Sequence, residues 1–135
     1  MSHPVALSHV RYLVTEFEPL LRFYRDVLGL KVAVDVPGVY AELDTAGGRL
    51  AFYRADLMAA VVGAPVATRA GDDIVICLRV DNVDAAATRV RLAGIPLVTA
   101  PHDQTTWFQR VAHLHDPAGH LVELWSPLPP PPQSA

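Results

Sequence analysis

The sequence predicts an α+β fold in which two βαβββ modules form a curved mixed sheet, with a concave cleft on one side and helices on the convex side. Two observations predict it. A strand–turn–helix segment occurs twice in the chain, and so does an Asp-X-Ala-Gly turn followed by an alternating strand. Neither module alone would bury its helix and sheet well, whereas two side by side would.

The first copy, "SHVRYLVTEFEPLLRFYRDVLGLKV" from Ser8, reads as a strand, a turn and an amphipathic helix that ends at Gly29. Leu20, Leu21, Phe23, Tyr24 and Leu28 are spaced as the core stripe of that helix. Gly29 suits the left-handed position that follows a helix C-terminus. The second copy, "IVICLRVDNVDAAATRVRLAGIPLV" from Ile74, ends in the same way at Gly94, and Asp81 or Asn82 is placed to cap its helix. An offset of 66 carries His9 onto Val75 and Val14 onto Val80.

The later strands repeat as well. "LDTAGGRLAFY" from Leu43 aligns with "HDPAGHLVELW" from His115 at an offset of 72, which puts Asp44 on Asp116, Gly47 on Gly119, Ala51 on Glu123 and Tyr53 on Trp125. Each Asp-X-Ala-Gly segment reads as a tight hairpin turn. The expected organisation is one domain over 1–127: module one at 5–57, a connection at 58–72 and module two at 73–127. A proline-rich tail, expected to be extended, follows at 128–135. The small residues of "GAPVATRAGDD" (63–73) would also suit a lid.

Strand alternation sorts the residues into two faces. Val10, Tyr12, Val14, Ile74, Ile76, Leu78, Val122 and Leu124 are expected against the helices. His9, Arg11, Ala51, Tyr53, Val75, Cys77, Glu123 and Trp125 then line the cleft. A carboxylate between Leu121 and Trp125 is costly unless it is solvated, hydrogen-bonded or bound to a cation, so Glu123 is the first candidate functional residue. In "TWFQRVAHLH" the apolar Ala112 and Leu114 take the helix side, leaving Gln109, Val111 and His113 for the cleft. A hairpin pairing Leu114 with Val122 then puts His113 directly across from Glu123.

Composition excludes several classes. The chain has 135 residues, 51% of them hydrophobic and 19% charged, which is a globular balance. A formal net charge of −3 without a basic stripe argues against nucleic acid as a partner. No apolar run approaches the roughly 18 residues of a membrane span, and no targeting segment is evident, so a cytoplasmic protein is expected. Cys77 is the single cysteine, which excludes an internal disulfide, and it reads as a small packed thiol without a partner base. His3, His102, His115 and His120 read as surface or turn residues.

"SHV" (Ser8–Val10), "FYRDVLGLKV" (Phe23–Val32) and "DPAGHLVEL" (Asp116–Leu124) resemble motifs of the vicinal oxygen chelate superfamily, which includes glyoxalase I, bleomycin-resistance proteins and extradiol dioxygenases. The resemblance covers almost the whole chain apart from the tail. It implies that four repeat-related positions supply metal ligands in metal-using members; here they are His9, Ala51, Val75 and Glu123. Alanine and valine cannot coordinate a metal. His113, by register, could complete a substitute His9–His113–Glu123 triad for Fe, Mn, Ni or Zn.

Two functions follow from the resemblance. The first is a small-molecule-binding protein that sequesters or recognises an aromatic or drug-like ligand in the cleft of a homodimer. Arg11, Tyr53, Trp107, Phe108, His113 and Trp125 would then be its contacts. The alternative is a divalent-metal enzyme, either a glyoxalase-type lyase or isomerase or an extradiol dioxygenase, with Glu123 as ligand and proton-transferring base.

Overall fold

The computed structural model describes residues 7–68 and 71–130, and only the backbone of 71–73. His3, residues 5–6 of the expected first module, 69–70 of the connection and 131–135 of the tail lie outside the described residues. Contacts divide the chain into two compact units, Met1–Arg69 and Ala70–Ala135. Each holds a four-stranded mixed sheet, as expected for an α+β fold of two βαβββ modules.

In the first unit, β1 (His9–Val14) is followed by α1 (Phe17–Arg22), and the helix then widens into a π-helical stretch, Phe23–Val27. The bond from Leu28 N–H to the Phe23 carbonyl (3.1 Å) closes the wider turn. Pro19 sits in the first helical turn, where its missing N–H costs nothing. Gly29, at φ 78°, ends the helix in the left-handed region as its sequence position predicts. Strands β2 (Lys31–Val36), β3 (Tyr40–Thr45) and β4 (Gly48–Arg54) complete a sheet ordered β1-β4-β3-β2, with β1 parallel to β4 and the other pairs antiparallel. Tyr12, Val14, Leu20, Leu21, Tyr24, Leu43 and Phe52 are buried, and the Tyr24 and Phe52 rings pack 5.3 Å apart.

The expected connection is partly helical. Helix α2 (Ala55–Val62) follows β4 directly, packs against β4 and β1, and ends at Gly63 with φ 80°. Its apolar sequence has no polar stripe, and Val61 and Val62 lie exposed. A segment without a polar stripe shows no helical periodicity in its sequence.

The second unit opens with β5 (Gly71–Arg79) and α3 (Val83–Leu92). Asn82 is the cap: its side-chain oxygen accepts from Ala85 N–H at 3.0 Å. Strand β6 (Leu97–Gln104), a 3₁₀ turn (Thr105–Trp107), β7 (Gln109–His115) and β8 (His120–Pro127) follow, giving the order β5-β8-β7-β6. Val83 and Ala87 of α3 pack on Ala112 of β7, with Val80 and Leu97 beside them. Arg110 ties the helix to the sheet, donating to both Asp84 oxygens (2.7 and 2.8 Å) and to Asp103 (2.7 Å). Val10 and Ile74, expected on the helix side, are exposed near the open ends of their strands.

The two sheets share one register. Arg11 pairs with Ala51 and, 66 and 72 residues further on, Cys77 pairs with Glu123. The two hairpins are built differently despite their similar sequences. Thr45 pairs with Gly48, so Asp44 is a strand residue, and the Thr45 hydroxyl donates to Gly48 O (2.6 Å) and accepts from Gly47 N–H (3.2 Å). His115 pairs with Leu121 across a turn one residue longer. There the buried Asp116 carboxylate accepts from Ala118 N–H (2.9 Å) and His120 N–H (3.0 Å).

This difference predicts unequal mutants. Asp116→Ala orphans buried backbone donors and should cost about 1–3 kcal/mol in denaturant unfolding. Asp44→Ala, at the position the sequence repeat treats as equivalent, should stay within about 0.5 kcal/mol of wild type. Replacing the Asn82 cap by alanine should cost about 1 kcal/mol in the same measurement.

Candidate functional site

The face of each sheet away from its helix carries the candidate residues, and each unit is described by itself. In the second unit, three neighbouring strands place Thr99, His113 and Glu123 side by side, because Thr99 pairs with His113 and His113 with Glu123. The Thr99 Oγ1–His113 Nδ1 distance is 2.6 Å and the His113 Nε2–Glu123 Oε1 distance is 3.0 Å. The second pair is the one expected from the strand register, and Thr99 is an addition to it. A carboxylate only accepts, so His113 donates from Nε2–H, and in the neutral imidazole the Nδ1 lone pair receives the threonine hydroxyl proton. The order is hydroxyl, imidazole, carboxylate, with the histidine tautomer set by its neighbours. Glu123 is only 9% exposed.

Cys77, expected as a packed thiol, is instead exposed and lies on the other side of Glu123 in the pairing. Partial desolvation, and then the Glu123 charge, raise its thiol above the ordinary cysteine value, so the thiolate is disfavoured. The His102 ring lies 6.2 Å from that of His113, although its Nδ1–H is spent on the Ala100 carbonyl (2.8 Å). Trp125, two residues along the same face from Glu123, supports the Arg79 guanidinium at 5.4 Å.

Trp107 and Phe108 stand on the 3₁₀ turn, 55% and 72% exposed. Among the described residues no ring contact joins them to Trp125. Phe108 is held left-handed (φ 55°, ψ 40°), a costly conformation for a non-glycine residue, by its bond to Thr105 O (3.2 Å) and the bond from Leu128 N–H to its own carbonyl (2.9 Å).

In the first unit, the same face holds His9, Arg11, Tyr40, Glu42 and Tyr53. Tyr40 and Glu42 were not anticipated, yet "YAELD" alternates polar and apolar as a half-buried strand should. Tyr40 OH donates to Glu42 Oε2 (2.8 Å) and Arg49 donates to Oε1 (3.1 Å). These two bonds lower the Glu42 carboxyl below its ordinary value. Burial and the bond to Glu42 push the Tyr40 phenol up. The Arg11 guanidinium lies 5.5 and 5.7 Å from the Tyr40 and Tyr53 ring centres and donates to His9 Nε2 at 3.2 Å. The remaining His9 nitrogen, Nδ1, therefore carries the proton and donates to Ser8 Oγ (3.0 Å).

These contacts bear on a divalent metal. At the four family positions, Ala51 is fully buried and Val75 is half-exposed, and neither has a donor atom. The lone pairs of His9 and His113 both receive protein protons. Among the described residues no three His, Cys, Asp or Glu side chains cluster so as to hold a metal ion. The residues present do not fit such an ion.

With this geometry established, comparison with known proteins gives the family. The family model of the Glyoxalase/Bleomycin resistance protein/Dioxygenase superfamily matches residues 6–124. The YraH protein of Bacillus subtilis (strain 168) is 29% identical over 126 residues, covering 90% of this chain and 98% of its own. Among solved structures, a lactoylglutathione lyase from Agrobacterium tumefaciens is similar at TM-score 0.70 and 23% identity, covering 91% of this chain and 94% of its own. TnmS3, an antibiotic binding protein from Streptomyces sp. CB03234, is similar at TM-score 0.69 and 22% identity, covering 94% of this chain and 99% of its own. At these identities the two structures share the fold, while the match over 6–124 carries the membership: the chain belongs to the Glyoxalase/Bleomycin resistance protein/Dioxygenase superfamily.

Proposed function

We propose that the chain is a small-molecule-binding protein, a cytoplasmic homodimer that takes up an aromatic or drug-like ligand without metal chemistry. The observation that carries this reading is the Thr99–His113–Glu123 chain: a nine-tenths-buried carboxylate and an imidazole of set tautomer, held on a helix-free face beside Trp125. Ligand sites of this kind combine aromatic surface with a few fixed polar groups. Glu123 supplies an acceptor, and Trp125, Trp107 and Phe108 supply stacking surface in the second unit. Arg11 and Tyr53 offer contacts in the first. TnmS3, an antibiotic binding protein that shares this fold, supports the reading.

The alternative is a metal-dependent lyase, isomerase or dioxygenase, supported by His113 and Glu123 lying side by side and by a lyase sharing the fold. The engaged imidazole lone pairs and the donorless Ala51 and Val75 weigh against it.

Titration with aromatic ligands, followed by quenching of Trp107 and Trp125 fluorescence, tests the proposal. A saturable quench is expected, weakened roughly tenfold or more by Glu123→Gln, the effect of about 1.4 kcal/mol from one anchoring hydrogen bond. Adding Fe(II), Mn(II), Ni(II) or Zn(II) should leave that quench unchanged. Near-stoichiometric metal in tag-free protein, lost in both Glu123→Gln and His9→Ala, would overturn the proposal in favour of the enzyme.

Cys77 serves as a reporter of the same charge. With the thiol pKa raised, alkylation by iodoacetamide at neutral pH should be slow and should accelerate as pH rises. Glu123→Gln removes one of the raising influences, so its alkylation profile should move to lower pH; an unmoved profile would show that Glu123 bears no charge felt at Cys77.

A further inference from the structure

Arginines in this chain fall into distinct settings. Arg25, Arg49, Arg54 and Arg110 each pair with a carboxylate. Arg11 does not: among the described residues no carboxylate lies within ion-pair distance of it. Glu42, the carboxylate on the same sheet face, has one oxygen on Tyr40 and the other on Arg49. The Arg11 side chain is exposed, yet its guanidinium is positioned by the Tyr40 and Tyr53 rings, themselves set edge-to-face at 5.7 Å. One Nη2 proton goes to His9. The guanidinium also hydrogen-bonds the Tyr40 side chain, and of its five N–H donors those not spent on Tyr40 and His9 can meet the oxygens of a carboxylate. The positioning lowers the entropy cost of capture that an ordinary surface arginine would bear.

We infer that Arg11, held by Tyr40, Tyr53 and His9, is a recognition site for the carboxylate group of a small organic acid. The inference deepens the preceding reading by naming the ligand's chemistry, and it rests on that reading only in that the chain binds small organic molecules.

The test follows the Arg11 Nε–Hε resonance in the full-length ¹⁵N-labelled protein, assigned by its loss in Arg11→Met, during titration with sodium benzoate, benzamide and inorganic phosphate at constant ionic strength. Benzoate should shift the resonance saturably and bind about tenfold or more tightly than benzamide, its neutral isostere, with phosphate weaker than benzoate. In Arg11→Met, benzoate binding read by calorimetry should fall to the level of benzamide, with the thermal melt confirming the fold. Arg11→Lys, which keeps the charge but loses the fork, should bind benzoate several-fold more weakly than wild type, and it tests the same point if the methionine variant does not fold. Equal affinity for benzoate and benzamide, no saturable benzoate shift, or a preference that survives in Arg11→Met would overturn the inference. Phosphate binding as tight as benzoate would overturn the assignment to a carboxylate. Failure here leaves quenching of Trp125 by neutral aromatics unaffected, so the two readings fail separately.

Discussion

Everything on the helix-free faces depends on the parallel pairing that joins the first and last strands of each module. Side chains alternate along a strand, so a slip of one residue would turn every face residue into a core residue. The register that seats Arg11 beside Ala51 also seats Tyr12 beside Phe52, burying those rings under the helix, and the equivalent register puts Leu78 beside Leu124 and Cys77 beside Glu123. Core burial and site geometry are thus one constraint: the apolar residues that must be hidden determine which polar residues are presented.

Within that frame the modules differ by where they carry a carboxylate. By strand pairing, Glu42 of β3 occupies the place of His113 of β7, and Ala51 of β4 the place of Glu123 of β8. The aromatic partners correspond as well, since Tyr53 and Trp125 sit at matching positions and each carries a guanidinium near its ring. A repeat that preserves backbone pairing while moving charged groups between strands keeps the fold and changes the chemistry, as expected where function resides in sites borne by a fold.

Much of this was legible in the sequence, for identifiable reasons. The His113–Glu123 pair followed from alternation and one apolar match, Leu114 with Val122, because burial on one face specifies register strongly. Gly29 and Gly94 followed from the need for a left-handed residue after a helix. Glu42 and Tyr40 were hidden by the turns: the shared Asp-X-Ala-Gly motif aligns Asp44 with Asp116, but the second hairpin is one residue longer, so strand equivalence runs one position out of step with motif equivalence. Thr99 was missed because β6 pairs with β7 through two irregularities that no alternation pattern predicts. The π-helical stretch left no trace, since Phe23 and Tyr24 are core-facing in either helix type.

The charges themselves favour ligand capture over mere packing. Glu123 is the more buried of the two face carboxylates, with His113 donating to it and Cys77 paired beside it; the nearby guanidinium of Arg79 lies over Trp125 instead. A buried carboxylate forfeits hydration that its hydrogen bonds restore in part. In the first unit the converse holds, because Glu42 is satisfied by Tyr40 and Arg49 and leaves the Arg11 cation without an anion. Packing alone would be served better by uncharged side chains at both places. Each sheet, taken by itself, thus keeps a charged side chain on its helix-free face where the fold alone does not call for one: Glu123 in the second unit and Arg11 in the first.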